Sequence, residues 1–150
     1  MRLGTGTAGS SLLVVVLVAC AGGVGGPGEA GQDGVRFWVH GSAGSGGGED
    51  ALIEGEVAVD DDTGCVYLDA GGGPYPVIWP HGTDLARADP LQLRLRDGTT
   101  VAVGDHVQGG GGYHKAEDYP DLGIPGSCLN EYGEVARFNQ GETLMVRRRP

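Results

Sequence analysis

The stretch Leu91-Gln92-Leu93-Arg94-Leu95-Arg96-Asp97-Gly98-Thr99-Thr100-Val101-Ala102-Val103 decides the fold class. Apolar and polar residues alternate on both sides of Asp97-Gly98. Period two is the signature of a half-buried strand, and Asp-Gly between two such runs is the strongest local signal for a hairpin. Leu91, Leu93 and Leu95 face inward, while Gln92, Arg94 and Arg96 face solvent. A two-residue type I′ turn at Asp97-Gly98 is expected, with positive φ at both positions.

The same alternation extends outward from this hairpin. In Ala51–Val59, Ala51, Ile53, Gly55, Val57 and Val59 share one face. Asp60-Asp61-Asp62-Thr63-Gly64 is a polar turn, and Cys65–Leu68 is a second strand. Tyr75–Trp79 is a third, and its prolines predict an edge or a bulge. Gly104-Asp105 turns the chain into His106-Val107-Gln108, and 134–138 and 143–148 are two more short strands. No amphipathic helix is evident. The expectation is an all-β protein with a small OB-like barrel of five or six strands, or alternatively a small β-sandwich.

Glycine supplies 31 of the 150 residues and aromatics only 6%, so the core must be small and aliphatic. Acidic residues outnumber basic ones by 20 to 10, which opposes binding to nucleic-acid phosphates. No nucleic-acid partner is expected.

The chain before the strands has a different character. Leu12–Ala19 is a short apolar block, well below the roughly 20 residues of a permanent membrane helix. With Arg2 ahead of it and glycines after it, residues 1–19 read as an export signal. Leu17-Val18-Ala19-Cys20 resembles the lipobox of bacterial lipoproteins. The resemblance implies that the Cys20 thiol receives a diacylglyceryl group and that cleavage falls before it. The n-region departs from the pattern, with a single arginine. Ala19-Cys20-Ala21 also fits an ordinary signal-peptidase site, which would discard the cysteine, and an uncleaved anchor is the third reading.

Cysteine arithmetic orders these readings. The chain has Cys20, Cys65 and Cys128, and an odd thiol is a liability in an oxidising compartment. Lipidation or secretion leaves Cys65 and Cys128 as a pair; a retained anchor leaves one thiol over. A Cys65–Cys128 disulfide is expected, because the spacing lacks a C-x-x-C metal or redox motif. The expected location is the outer face of the cytoplasmic membrane, with secretion as the alternative.

Residues 20–48 read as a glycine-rich tether, too poor in apolar side chains to fold. Within it, Val35–His40 alternates like a strand that docks on the body. The alternative is an island exposing Phe37 and Trp38 to a partner. The body is expected to begin near Glu49 and to run to 150. The segment Gly64–His114 resembles a module of small exported bacterial proteins with no assigned activity.

Chemistry-bearing residues are sparse. His40, His81, His106 and His114 lie in loops or near turns, and no zinc-ligand spacing joins them, so no metal and no cofactor are expected. The acidic turn 60–64 stops short of a calcium loop. Gly109–Gly112 lacks the lysine of a phosphate loop and reads as a bulge, a loop or a place where ligand meets backbone. The candidate ligand-binding residues are Tyr75, Trp79, His81, Tyr113, His114 and Tyr119. The Arg147–Arg149 run reads as a solvated end. The expected function is a non-catalytic binding or structural module, held at the membrane by its lipid, with an envelope protein or cell-wall ligand as partner. The alternatives are an envelope hydrolase or metal-dependent enzyme built on His81, His106 or His114, and a secreted inhibitor of a cell-wall enzyme.

Overall fold

The computed structural model describes residues 28–30, 34–42 and 48–150. The apolar block and Cys20 lie outside the described residues. The strands are β1 (Gly28–Ala30), β2 (Phe37–Val39), β3 (Ala51–Val59), β4 (Val66–Asp69) and β5 (Pro74–Trp79). Then follow β6 (Asp84–Arg87), β7 (Gln92–Arg94), β8 (Thr100–Ala102), β9 (His106–Lys115), β10 (Glu134–Phe138) and β11 (Met145–Arg147). Three single 3₁₀ turns, at Ala116–Asp118, Pro120–Leu122 and Gly126–Cys128, fill the connection from β9 to β10.

Five strands close a barrel in the circular order β3-β4-β5-β10-β9, and β9 pairs back onto β3. All neighbours are antiparallel except β5 and β10, which run parallel. The protein is therefore a small all-β barrel of the OB-like kind. Closure leaves the five barrel strands with no free edge among themselves.

Alternation explains what fills the barrel. Ile53 and Val57 of β3, Val66 and Leu68 of β4, Val77 and Trp79 of β5, Val107 of β9 and Phe138 of β10 are buried together. The opening hairpin belongs to a second, three-stranded sheet, β6-β7-β8. It lays Leu91, Leu93, Leu95 and Val101 on that same core.

Its turn differs from the expected type I′. Leu95 N–H donates to the Thr99 carbonyl at 2.8 Å, and Gly98 N–H donates to the Leu95 carbonyl at 2.9 Å. The loop is thus three residues, Arg96–Gly98, with Gly98 at φ 87°. That is the other common hairpin solution, which needs positive φ at one residue only. Asp97 Oδ1 accepts from Thr99 N–H and holds the loop.

Two further expectations are corrected, and a third is met with a shifted boundary. First, the strand Tyr75–Trp79 is no edge: β5 pairs with β4 and β2 on one side and β10 on the other. Its prolines fit because β10 meets only Val77 and Ile78, beyond both of them. Secondly, the Val35–His40 segment docks as the expected strand, and this moves the start of the body. Phe37 and Trp38 are fully buried, and β2 pairs with β5 and β1. The body therefore takes in residues 34–42 and does not start at Glu49. Thirdly, Gly109–Gly112 is neither loop nor bulge but the middle of β9.

That last point has a steric cause. A Cβ on Gly111 would collide with the Arg137 carbonyl and lie 2.6 Å from Ile53 Cδ1. One on Gly109 would lie 2.5 Å from Leu144 Cδ2. The glycines let β9 carry large neighbours close on both faces.

A second, smaller core forms outside the barrel. Trp38, Ile78, Leu122 and Val135 pack together with Cys65, and Tyr119, Ile124, Cys128 and Leu129 border them. Cys65 and Cys128 are joined by a disulfide, with Cα atoms 5.7 Å apart. It staples the β9–β10 connection to the start of β4. The C-terminal arginines are also tied down: Arg148 donates to Thr100 Oγ1 at 3.0 Å, and Arg149 lies 3.5 Å from Glu56.

Candidate functional site

OB-like barrels commonly bind ligands on the outer face of their second and third strands and at the loops beside it. Here those strands are β4 and β5. Their outer face is covered at Ile78 by Trp38 and by the stapled 116–133 connection.

The candidate aromatics separate into three groups. Trp79 is fully buried with its ring 5.7 Å from Phe138, so it is a core residue. Tyr75 and Tyr113 pack against each other, ring centroids 4.8 Å apart, and Tyr113 is exposed. Tyr119 and His114 meet edge to face at 5.6 Å on a different surface.

His114 belongs to a polar cluster over Gly112. Its Nε2 lies 2.8 Å from Glu49 Oε2, and Arg137 Nη2 donates to the same oxygen at 2.7 Å. A side chain on Gly112 would strike Glu49 Oε2 at 2.5 Å, so glycine makes the floor for the cluster. Burial pushes the Glu49 carboxyl up, but the hydrogen bonds from His114 and Arg137 together outweigh it and hold it below the usual carboxylate range. The Arg137 guanidinium also faces the Tyr119 ring at 5.9 Å, and burial pushes the Tyr119 hydroxyl up. Asn139 clamps the Glu49 backbone from both sides: its Oδ1 accepts from Glu49 N–H, and its Nδ2 donates to the Glu49 carbonyl.

On the other side of Arg137 lies His40. Burial, then the charge of Arg137, then His81 lower its pKa to about 4, so its ring is neutral at neutral pH. His81 Nδ1 lies 3.1 Å from the His40 carbonyl, which can only accept, so Nδ1 donates that bond. The His81 backbone N–H donates to Gln140 Oε1 at 2.8 Å.

His81 and Gln140 open onto a cleft of about 330 Å3. It lies where three segments meet: Pro80-His81 after β5, Leu95–Asp97 in the hairpin, and Gln140–Leu144 between β10 and β11. Sequence reading named His81 but missed Gln140, Arg96 and Thr143, whose meeting depends on tertiary contacts between distant loops.

No family model, curated protein or solved structure matches the chain. The site must be read from its own chemistry.

The histidines of the enzymatic alternative are held apart. His106 and His114 sit on one continuous strand, eight residues and about 27 Å from each other at 3.4 Å per residue. His114 is engaged by Glu49 and His81 by His40. Among the described residues, no three His, Cys, Asp or Glu side chains gather as a metal site.

Proposed function

We propose that this protein is an extracytoplasmic lipoprotein, anchored through Cys20, whose OB-like barrel is a non-catalytic binding module for an envelope ligand. The pairing of Cys65 with Cys128 carries the reading. It uses two of the three cysteines in a bond typical of oxidising compartments and leaves Cys20, at the end of the apolar block, as the odd thiol.

Anchoring follows from acyl-chain energetics. Each buried methylene contributes about 0.8 kcal/mol, and stable attachment takes about two chains, as a diacylglyceryl group supplies. No helix among the described residues is long and apolar enough to cross a membrane. The binding role is supported by the cleft at His81 and Gln140, within the size range of small-ligand sites. The net charge of −10 argues against nucleic acid.

The test is metabolic labelling with radioactive palmitate in an expressing bacterium. The wild-type chain should take up label, and Cys20→Ser should not. An unlabelled wild type, or a labelled Cys20→Ser, contradicts the anchor.

A further inference from the structure

The cleft between the hairpin and the β10–β11 loop has a lining that points to one ligand class. Its floor is apolar: Leu95 and Leu144 are 6% and 4% exposed and belong to the barrel core. Above the floor stand groups of both charge signs and one fixed amide.

The amide is Gln140. Its Oε1 is taken by the His81 backbone N–H, so the orientation of the group is set by that bond. Nε2 is then a donor, and it is buried with no acceptor. A buried unmade donor is costly, and a ligand oxygen that draws the amide hydrogen towards the cleft would offset that cost. Arg96 stands nearby with no hydrogen bond or ion pair among the described residues. Its stem rests over Gly82, where a Cβ would lie 3.2 Å from Arg96 Cβ and Cγ. These two groups call for an oxygen anion.

The opposite sign is present too. Asp97 and Glu142 line the same cleft. Each has one oxygen engaged locally, Asp97 Oδ1 by Thr99 N–H and Glu142 Oε2 by Asn139 Nδ2, which leaves the other oxygen of each carboxylate unengaged. A simple anion would be repelled by these two carboxylates, and a simple cation by Arg96.

We infer that the cleft binds a free, zwitterionic dipeptide, with its α-carboxylate on Arg96 and Gln140, its ammonium on Asp97 or Glu142, and a small side chain on the floor of Leu95 and Leu144. The inference rests on the proposal that the barrel is a binding module and names its substrate class.

The experiment is NMR titration of the isotope-labelled full-length chain with alanyl-alanine, its C-terminal amide and its N-acetyl form, at millimolar concentration. The free dipeptide should shift the amides of His81, Arg96, Gln140 and Thr143. Amidation should weaken binding by about tenfold or more, as expected for loss of a charge-assisted contact, and Arg96→Ala should do the same. N-acetylation should weaken it as well. The Arg96→Ala chain should keep the wild-type spectrum elsewhere, because Arg96 is exposed in a turn. Absence of shifts at these four residues, or equal affinity for the free and amidated forms, overturns the inference. Failure of palmitate labelling would leave this outcome unaltered, so the two proposals fail separately.

Discussion

Cys65 and Cys128, 63 residues apart in sequence, are bonded across the outside of the barrel. The bond joins the residue before β4 to the last 3₁₀ turn ahead of β10. It pins the 116–133 connection over Trp38 and Ile78, the face that a barrel of this kind would otherwise offer to a ligand.

Removing that bond should be costly. Closing a loop of this length restricts the unfolded chain by about 4 kcal/mol in the chain-entropy model. The Cys65→Ala/Cys128→Ala protein should lose about that much in urea unfolding. Trp38 fluorescence should shift to the red as its cover loosens. A loss below about 1 kcal/mol would mean that the small outer core holds without its staple.

His40 predicts an acid-sensitive fold. Its folded pKa of about 4 lies below the ordinary 6.5. The unfolded chain therefore binds a proton that the folded chain refuses between those values. Stability is complete above pH 6.5, falls as pH drops towards 4, and is unaffected by this group below that. His40→Gln should flatten the slope in this window. An unchanged slope would assign the acid sensitivity to the carboxylates.

Glu49 acts lower on the pH scale. Its carboxyl is held below the usual range by His114 and Arg137 against its own burial, so its contribution is present above the ordinary carboxylate pKa and lost as pH falls through the lowered one. Glu49→Gln should cost about 1 kcal/mol at neutral pH, a modest figure because the pair is partly exposed. Thermal unfolding at neutral pH and at acid pH measures it: the difference from wild type should shrink with acidification.

Gly111 and Gly110 should respond differently to alanine. At Gly111 the new methyl meets the Arg137 carbonyl and Ile53, which are backbone and core. At Gly110 it meets Glu142 Oε2 at 2.6 Å and Asn139 Nδ2 at 2.9 Å, both ends of flexible side chains. Gly111→Ala should destabilise by about 2 kcal/mol or more, as overpacking does, and Gly110→Ala by clearly less. Equal losses would remove the steric account of the glycine strand.

Local alternation made the strands legible: Ile53 and Val57 of β3 in the barrel and Leu93 of the hairpin are buried where period two puts them. The glycine run was opaque for a physical reason. Glycine carries no side chain to show periodicity, and its place in β9 is dictated by Arg137, Ile53 and Leu144, which are distant in sequence. The strand at Val35–His40 was legible from its alternation, whereas the burial of Trp38 depends on Ile78, Leu122 and Val135, which are distant in sequence. The cleft was half legible. His81 stood out as a histidine in a turn, whereas Gln140 becomes special only through its bond to the His81 backbone.

The most direct test of the account is the intact mass of the mature protein extracted from membranes. The prediction is a chain that begins at Cys20 and carries a diacylglyceryl group, with two further hydrogens gained on reduction of Cys65–Cys128. A chain that begins after Ala21, or one that retains Leu12–Ala19 with an unmodified Cys20, would contradict it.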